Sequence, residues 1–285
     1  MPEIRLIALD LDGTLFNDQG IISEANRKAI REATAQGIEV VVSTGRPLCG
    51  LPMDQIGRTP IRYAITTNGS GVYEIATGKC LFEDGMDPSV TGPILSYLTG
   101  KDIYIDAFIG GKAYSTHKDK AQGDRLTLPP SLRSYVLNTR TRVDDLMAYI
   151  LENKLSVQKF TLNFFSDGNG GHIDREEVHD YLMRCPQITC VCGGYFNLEF
   201  TRAGVDKGIG LMRLSEALGV DPAQTMAVGD TENDIAIVKA AALGVAMGNA
   251  TADVIAAADV ITDTNEADGV AKAIRRYALR QKTAP

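Results

Sequence analysis

Residues Leu6 to Leu11 form a short, mostly apolar run with no two-residue period, the pattern of a strand buried on both faces of a parallel sheet. The run stops at Asp12-Gly13-Thr14. Behind it, Ala25, Ala29, Ile30 and Ala33 recur at helical spacing, with Ser23 placed to cap the helix and Gly37 to end it. Ile38 to Ser43 is a second, β-branched run ended by Thr44-Gly45-Arg46-Pro47, and Tyr63 to Thr67 is a third that stops at Asn68-Gly69. The far end of the chain repeats this grammar. The pattern predicts a helix over Lys207 to Leu218 closed by Gly219, a strand over Thr225 to Val228 ending in Gly229-Asp230, and a helix over Asn233 to Ala241. Strands over Leu243 to Ala246 and Asp259 to Ile261 and a last helix over Asp268 to Arg276 follow. Alternation of this kind implies βαβ units and a doubly wound, Rossmann-like parallel sheet.

The middle of the chain reads differently. Ile103 to Phe108 and Ala113 to Ser115 form a close pair joined by Gly110-Gly111, with helices expected at Pro88 to Leu98, Val143 to Asn153 and Arg175 to Arg184. Lys159 to Phe165 alternates apolar with polar residues, and Asp167 to Gly171 is a turn-rich break. This is an α+β pattern, and the α/β grammar resumes after it. The expected architecture is therefore one discontinuous α/β core domain, residues 1–83 and 195–285, with an α+β domain inserted at residues 84–194.

The chain of 285 residues carries 29 Lys and Arg against 36 Asp and Glu, a net charge of −7, which argues against general affinity for nucleic acid or anionic membrane. Its opening residues reach charge too soon for a secretory signal, no apolar run is long enough for a membrane span, and the cytoplasm is the expected location. Five cysteines, an odd number, predict reduced thiols rather than a disulfide framework. Cys185, Cys190 and Cys192 lack a paired C-x-x-C, so strand or core packing is expected of them rather than a metal cluster. His117, His172 and His179 all lie in the inserted region, and no G-x-S-x-G or H-E-x-x-H offers a rival chemistry.

Candidate chemistry gathers at the predicted strand ends. Asp10 and Asp12, two positions apart just past a buried strand, repel one another unless a hard divalent cation lies between them; alternatively they form a solvated Asp-Gly turn. Asp230 and Asp234 supply further oxygen ligands and Asn233 an amide, with Glu232 a bystander, although acids here serve equally to cap a helix. Thr44-Gly45-Arg46 offers an anion a hydroxyl and an unobstructed backbone N–H, while Arg46 fits a structural salt bridge as well. Lys207 opens a helix, against the preference of the helix dipole, which suggests an anionic partner or a solvated side chain. Taken together, these groups suit phosphoryl transfer.

Asp10-x-Asp12-Gly-Thr, Ser43-Thr44-Gly45-Arg46, Lys207-Gly208 and Gly229-Asp230-x-x-Asn233-Asp234 resemble, in order and spacing, the four motifs of the haloacid dehalogenase-like hydrolases. The Cof-type sugar-phosphatase branch, with a large cap between motifs two and three, is the nearest match. The resemblance implies Asp10 as a nucleophile forming an aspartyl-phosphate and Asp12 as general acid, then base. It implies that Thr44, Gly45, Arg46, Lys207 and Asn233 bind phosphate or substrate, and that Asp10, the main-chain carbonyl of Asp12, Asp230 and Asp234 hold Mg²⁺. Asn249 resembles a recurrent position near the site, with packing as its alternative. The implied activity is Mg²⁺-dependent hydrolysis of small phosphomonoesters, sugar phosphates before nucleotides, on a phosphorylated metabolite. A phosphomutase and a non-catalytic phosphoryl-accepting switch are the competing readings.

Overall fold

A computed structural model describes residues 3–192 and 196–279. The chain forms two compact units. The first comprises the residues up to Arg46, Leu51–Phe82 and those from Asp206 on; the second comprises Pro47–Gly50 and Glu83–Val205. The strands in chain order are β1 (Leu6–Leu9), β2 (Glu39–Ser43), β3 (Tyr63–Thr66), β4 (Gly71–Glu74), β5 (Lys79–Glu83), β6 (Ile103–Ile109) and β7 (Lys112–Thr116). They continue as β8 (Thr141–Val143), β9 (Lys159–Phe164), β10 (Ile188–Cys192), β11 (Leu198–Arg202), β12 (Thr225–Gly229), β13 (Leu243–Ala246) and β14 (Val260–Ile261).

The first unit is an α/β fold on a sheet ordered β14-β13-β12-β1-β2-β3-β4-β5. Pairing is parallel from β14 through β3, as the apolar runs imply, and β1 and β12 are buried along their whole length. The sheet is not parallel throughout: β3 turns back into antiparallel β4. The chain winds outward from β1 through β2 in one direction and through β12 in the other, so the strand order reverses at the β1–β12 seam. Ligands of doubly wound sheets bind beyond the carboxyl ends of the strands at such a switch point. Helix Glu24–Ala35 is capped by Ser23, whose side chain accepts from the Asn26 N–H, as its sequence predicts. Helix Lys207–Leu218 buries Leu211 and Leu214 against Ala8, Val41, Ile65 and Ala227.

The second unit carries a sheet ordered β10-β11-β9-β6-β7-β8. Its strands pair antiparallel except β7 with β8, and the alternation of β9 sends Phe160, Leu162 and Phe164 into one apolar core with Ile103, Ile150 and Val178. The expected return of the chain at 194–195 falls outside the described residues, and the unit runs on to Val205, because β11 pairs with β9. The helix expected from Val143 starts at Leu146: Val143 ends β8, and the Asp145 side chain caps the helix by accepting from the Ala148 N–H. Helix Pro130–Thr139 was not legible in the hydrophobic pattern, which is weak there.

Leu211 is fully buried where its helix meets the sheet. Leu211→Ala should therefore cost about 2–5 kcal/mol, read as a lowered urea midpoint for the first unit; a loss below about 0.5 kcal/mol would show that this helix does not anchor the sheet.

Candidate active site

The seam sets the geometry. Leu9 pairs with Val228, and the Asp10 N–H donates to the Val228 carbonyl at 3.1 Å, so the residues leaving β1 and β12 come together. After Asp10 the chain makes one tight turn, Leu11–Leu15, interrupted at Asp12 and at Gly13, where φ is +85°. A Cβ on Gly13 would stand 2.3 Å from Asp230 Oδ2, so both the dihedral and the space require glycine. Thr14 Oγ1 donates to Asp230 Oδ1 at 2.8 Å. Asn249 Nδ2 donates to the Gly13 carbonyl at 2.8 Å while its Oδ1 accepts from the Asn265 N–H, which makes Asn249 a brace for this turn.

Lys207 finds an anionic partner within the protein. Its ammonium is fully buried and donates to Asp10 Oδ1 at 2.6 Å, Asp234 Oδ1 at 2.6 Å and Asn233 Oδ1 at 3.2 Å. Burial alone would lower its pKa, but Asp10 and Asp234 outweigh that and hold it above its ordinary value, charged at any physiological pH. Asp234 is locked in turn, its Oδ2 accepting from the N–H groups of Asp230 at 3.0 Å and Thr231 at 3.2 Å.

Asp10, Asp230 and Asp234 bring ligand oxygens within 4.8 Å of one another, all buried. Three carboxylates face one ammonium, and the excess negative charge shows in the acidity of Asp10 and Asp230. Burial and then the Asp234 charge raise Asp10 well above the usual carboxylate range. Burial pushes Asp230 up to about 6, against the Thr14 hydrogen bond. Among the described residues, hydrogen bonds reach only one oxygen of Asp10 and one of Asp230. Hard oxygen donors with spare lone pairs and surplus negative charge fit a divalent cation of the Mg²⁺ class.

Asp12 does not bring its carboxylate into this cluster. The side chain is 61% exposed and gripped on both oxygens by Arg46, with Nε to Oδ2 at 3.0 Å and Nη2 to Oδ1 at 2.8 Å. Arg46 thus takes the salt-bridge alternative. Thr44 is buried at the end of β2 with Oγ1 accepting from the Arg46 N–H at 3.2 Å, and Gly45 lies half-buried between them. Glu232 is exposed. Sequence reasoning passes over Thr14 and Asn68; Asn68 Oδ1 accepts from Asn233 Nδ2 at 3.4 Å. The cysteines form no disulfide; Cys190 and Cys192 lie on β10, and burial pushes the Cys190 thiol up to about 12, an inert group.

Comparison with known proteins identifies the family of the chain. The family model for haloacid dehalogenase-like hydrolases matches residues 7–274. The chain is 33% identical over 281 residues to the 5-amino-6-(5-phospho-D-ribitylamino)uracil phosphatase YcsE of Bacillus subtilis, covering 97% of each chain. It is 28% identical to the pyridoxal phosphate phosphatase YbhA of Escherichia coli, over 96% of this chain and 99% of that one. A solved haloacid dehalogenase-like hydrolase from B. subtilis superposes with a TM-score of 0.79 at 28% identity, covering 96% of this chain and all of the other.

The raised pKa of Asp230 has a consequence for stability. Between the ordinary carboxyl value of 3.8 and about 6 the folded protein keeps a proton that the unfolded chain has lost. The Asp230 contribution to metal-free stability should then fall as pH rises through that window and level off above it. Urea midpoints in chelator should decline from pH 4 to pH 6 more steeply for the native chain than for Asp230→Asn; equal slopes would show that Asp230 ionises normally.

Proposed function

The chain belongs to the Cof-type branch of the haloacid dehalogenase-like hydrolases and is a phosphoric monoester hydrolase, and from that premise we propose a Mg²⁺-dependent phosphatase of small phosphomonoesters, sugar phosphates foremost, working through an aspartyl-phosphate on Asp10. What supports it is the buried constellation of Asp10, Lys207, Asp230 and Asp234 at the β1–β12 seam, an anion-rich site built around one permanently charged donor.

In this reading Lys207 occupies Asp10 Oδ1 and orients the carboxylate, leaving Oδ2 to attack phosphorus. The new bond joins Oδ2 to phosphorus as the ester P–O bond breaks, and the departing oxygen takes its proton from Asp12. A water then loses a proton to Asp12 and attacks phosphorus, which releases phosphate and restores Asp10. The exposed Asp12 carboxylate can serve both steps once Arg46, which grips both of its oxygens, releases one of them to carry the proton. The Thr44 hydroxyl and the Gly45 N–H donate to the phosphoryl oxygens, and the Lys207 ammonium, whose three N–H groups are taken by Asp10, Asp234 and Asn233, offsets their charge through space. Mg²⁺ held by Asp10, Asp230, Asp234 and the main-chain carbonyl of Asp12 would offset the carboxylate charge that otherwise repels a phosphate dianion. Among the described residues no helix is long and apolar enough to cross a membrane, and we place the protein in the cytoplasm.

Asn substitutions separate the two acids. Asp10→Asn should form no covalent phosphoenzyme and release no phosphate from a panel of sugar phosphates. Asp12→Asn should accept a phosphoryl group from a reactive donor such as acetyl phosphate and hold it, with hydrolysis slowed by about 10²–10⁴-fold. Stable label on Asp10→Asn protein would overturn the assignment, and a long-lived phosphoenzyme in the native chain would favour a phosphoryl switch.

A further inference from the structure

Three consecutive residues after β3 sit in the left-handed region: Thr67 at φ +50°, Asn68 at +56° and Gly69 at +97°. Glycine enters that region freely and asparagine tolerates it, but a β-branched threonine there is strained. The turn reverses the chain from β3 into antiparallel β4, Thr66 pairing with Gly71, and each of the three residues also meets a different segment of the site. The Thr67 N–H donates to the Arg46 carbonyl at 3.0 Å and the Asn68 N–H to the Thr44 carbonyl at 3.2 Å, so the turn holds the Thr44–Arg46 loop from behind. A Cβ on Gly69 would stand 1.9 Å from the Asp206 carbonyl oxygen, which leaves glycine as the residue that lets the chain pass the start of the Lys207 helix. The Asn68 side chain, on a residue only 7% exposed, reaches Asn233.

The polarity of that last contact is determined by its neighbours. Asn233 Oδ1 accepts from the Lys207 ammonium and from Thr231 Oγ1 at 3.1 Å, so its amide nitrogen must point away from Lys207, toward Asn68. Asn68 has to answer with an oxygen, and Oδ1 is what stands there, 3.4 Å away. The chain of contacts runs from Asn68 Oδ1 to Asn233 Nδ2, and from Asn233 Oδ1 to Lys207 Nζ. Asp10 and Asp234 meet the ammonium with carboxylate oxygens; Asn233 is its neutral third acceptor, and its orientation depends on two further side chains, Thr231 on its oxygen and Asn68 on its nitrogen.

We propose that Asn68 is a positioning residue for phosphoryl transfer, holding the nitrogen end of the Asn233 amide as Thr231 holds its oxygen end, so that the oxygen keeps the third position on the Lys207 ammonium. The strained backbone of Thr67 and Asn68 is what carries the side chain there. The inference rests on the proposed role of Lys207 at the phosphoryl group.

The decisive variant is Asn68→Gly, because glycine suits a positive φ at least as well as asparagine and removes only the side chain. It should melt within a few degrees of the native protein yet lose about tenfold in kcat. In an Asn233→Ala background the same change should cost less than about twofold, since the amide through which Asn68 acts is gone. Asn68→Asp, which tolerates the same backbone and keeps an acceptor for Asn233 Nδ2, should retain more activity than the glycine variant, and this comparison stands even if the glycine variant fails to fold. Full activity of Asn68→Gly, an undiminished loss in the Asn233→Ala background, or Asn68→Asp no better than glycine would each overturn the proposal. A native chain that released no phosphate from any phosphomonoester would instead sink the phosphatase reading itself, before Asn68 is tested.

Discussion

One buried ammonium organises the core unit's functional end. Lys207 donates to carboxylates that leave two neighbouring strands, Asp10 after β1 and Asp234 after β12, and neither its charge nor theirs would survive at that depth alone. The dependence is mutual: the lysine stays charged because the acids surround it, and Asp10 is oriented because the lysine takes one of its oxygens. Asp234 is anchored further by the N–H groups of its own turn, so the lysine is held from a rigid point. What the pairing leaves over is negative charge, concentrated at Asp230 and at the second oxygen of Asp10. That surplus destabilises the bare site and is also the feature that suits it to a divalent cation and, through it, to a phosphate.

The site residues that the sequence shows are those whose spacing is local. Asp10-x-Asp12-Gly13-Thr14 and Gly229-Asp230-x-x-Asn233-Asp234 follow apolar strands at their carboxyl ends, and parallel register alone is enough to bring them together. Lys207 at a helix start is an electrostatic misfit that a sequence can display, and the structure supplies the carboxylates that resolve it. Arg46 was ambiguous between phosphate and salt bridge because its partner, Asp12, lies 34 residues away.

Other features are invisible for physical reasons. Asn68-Gly69 reads as the end of a strand; its importance lies in backbone dihedrals and in a contact 165 residues distant, neither of which leaves a pattern. β5 is exposed along much of its length, and its apolar run, Cys80 to Phe82, is too short to announce a strand. β11 alternates Leu198 and Phe200 with Glu199 and Thr201, a pattern that either sheet could accept, and only its pairing with β9 decides which unit it joins.

The central claim is that the buried carboxylate surplus is a binding site for one divalent cation. Thermal melting of the native chain and of Asp230→Asn, each in chelator and then titrated with Mg²⁺, measures this directly. The account predicts that Asp230→Asn melts at or above the native temperature without metal, because a buried charge has been removed. It predicts a saturable Mg²⁺ stabilisation of the native chain, about 2.7 kcal/mol at a hundredfold excess over Kd, that is lost in the variant. A native chain whose melting ignores Mg²⁺, or a variant that keeps the full increase, would contradict it.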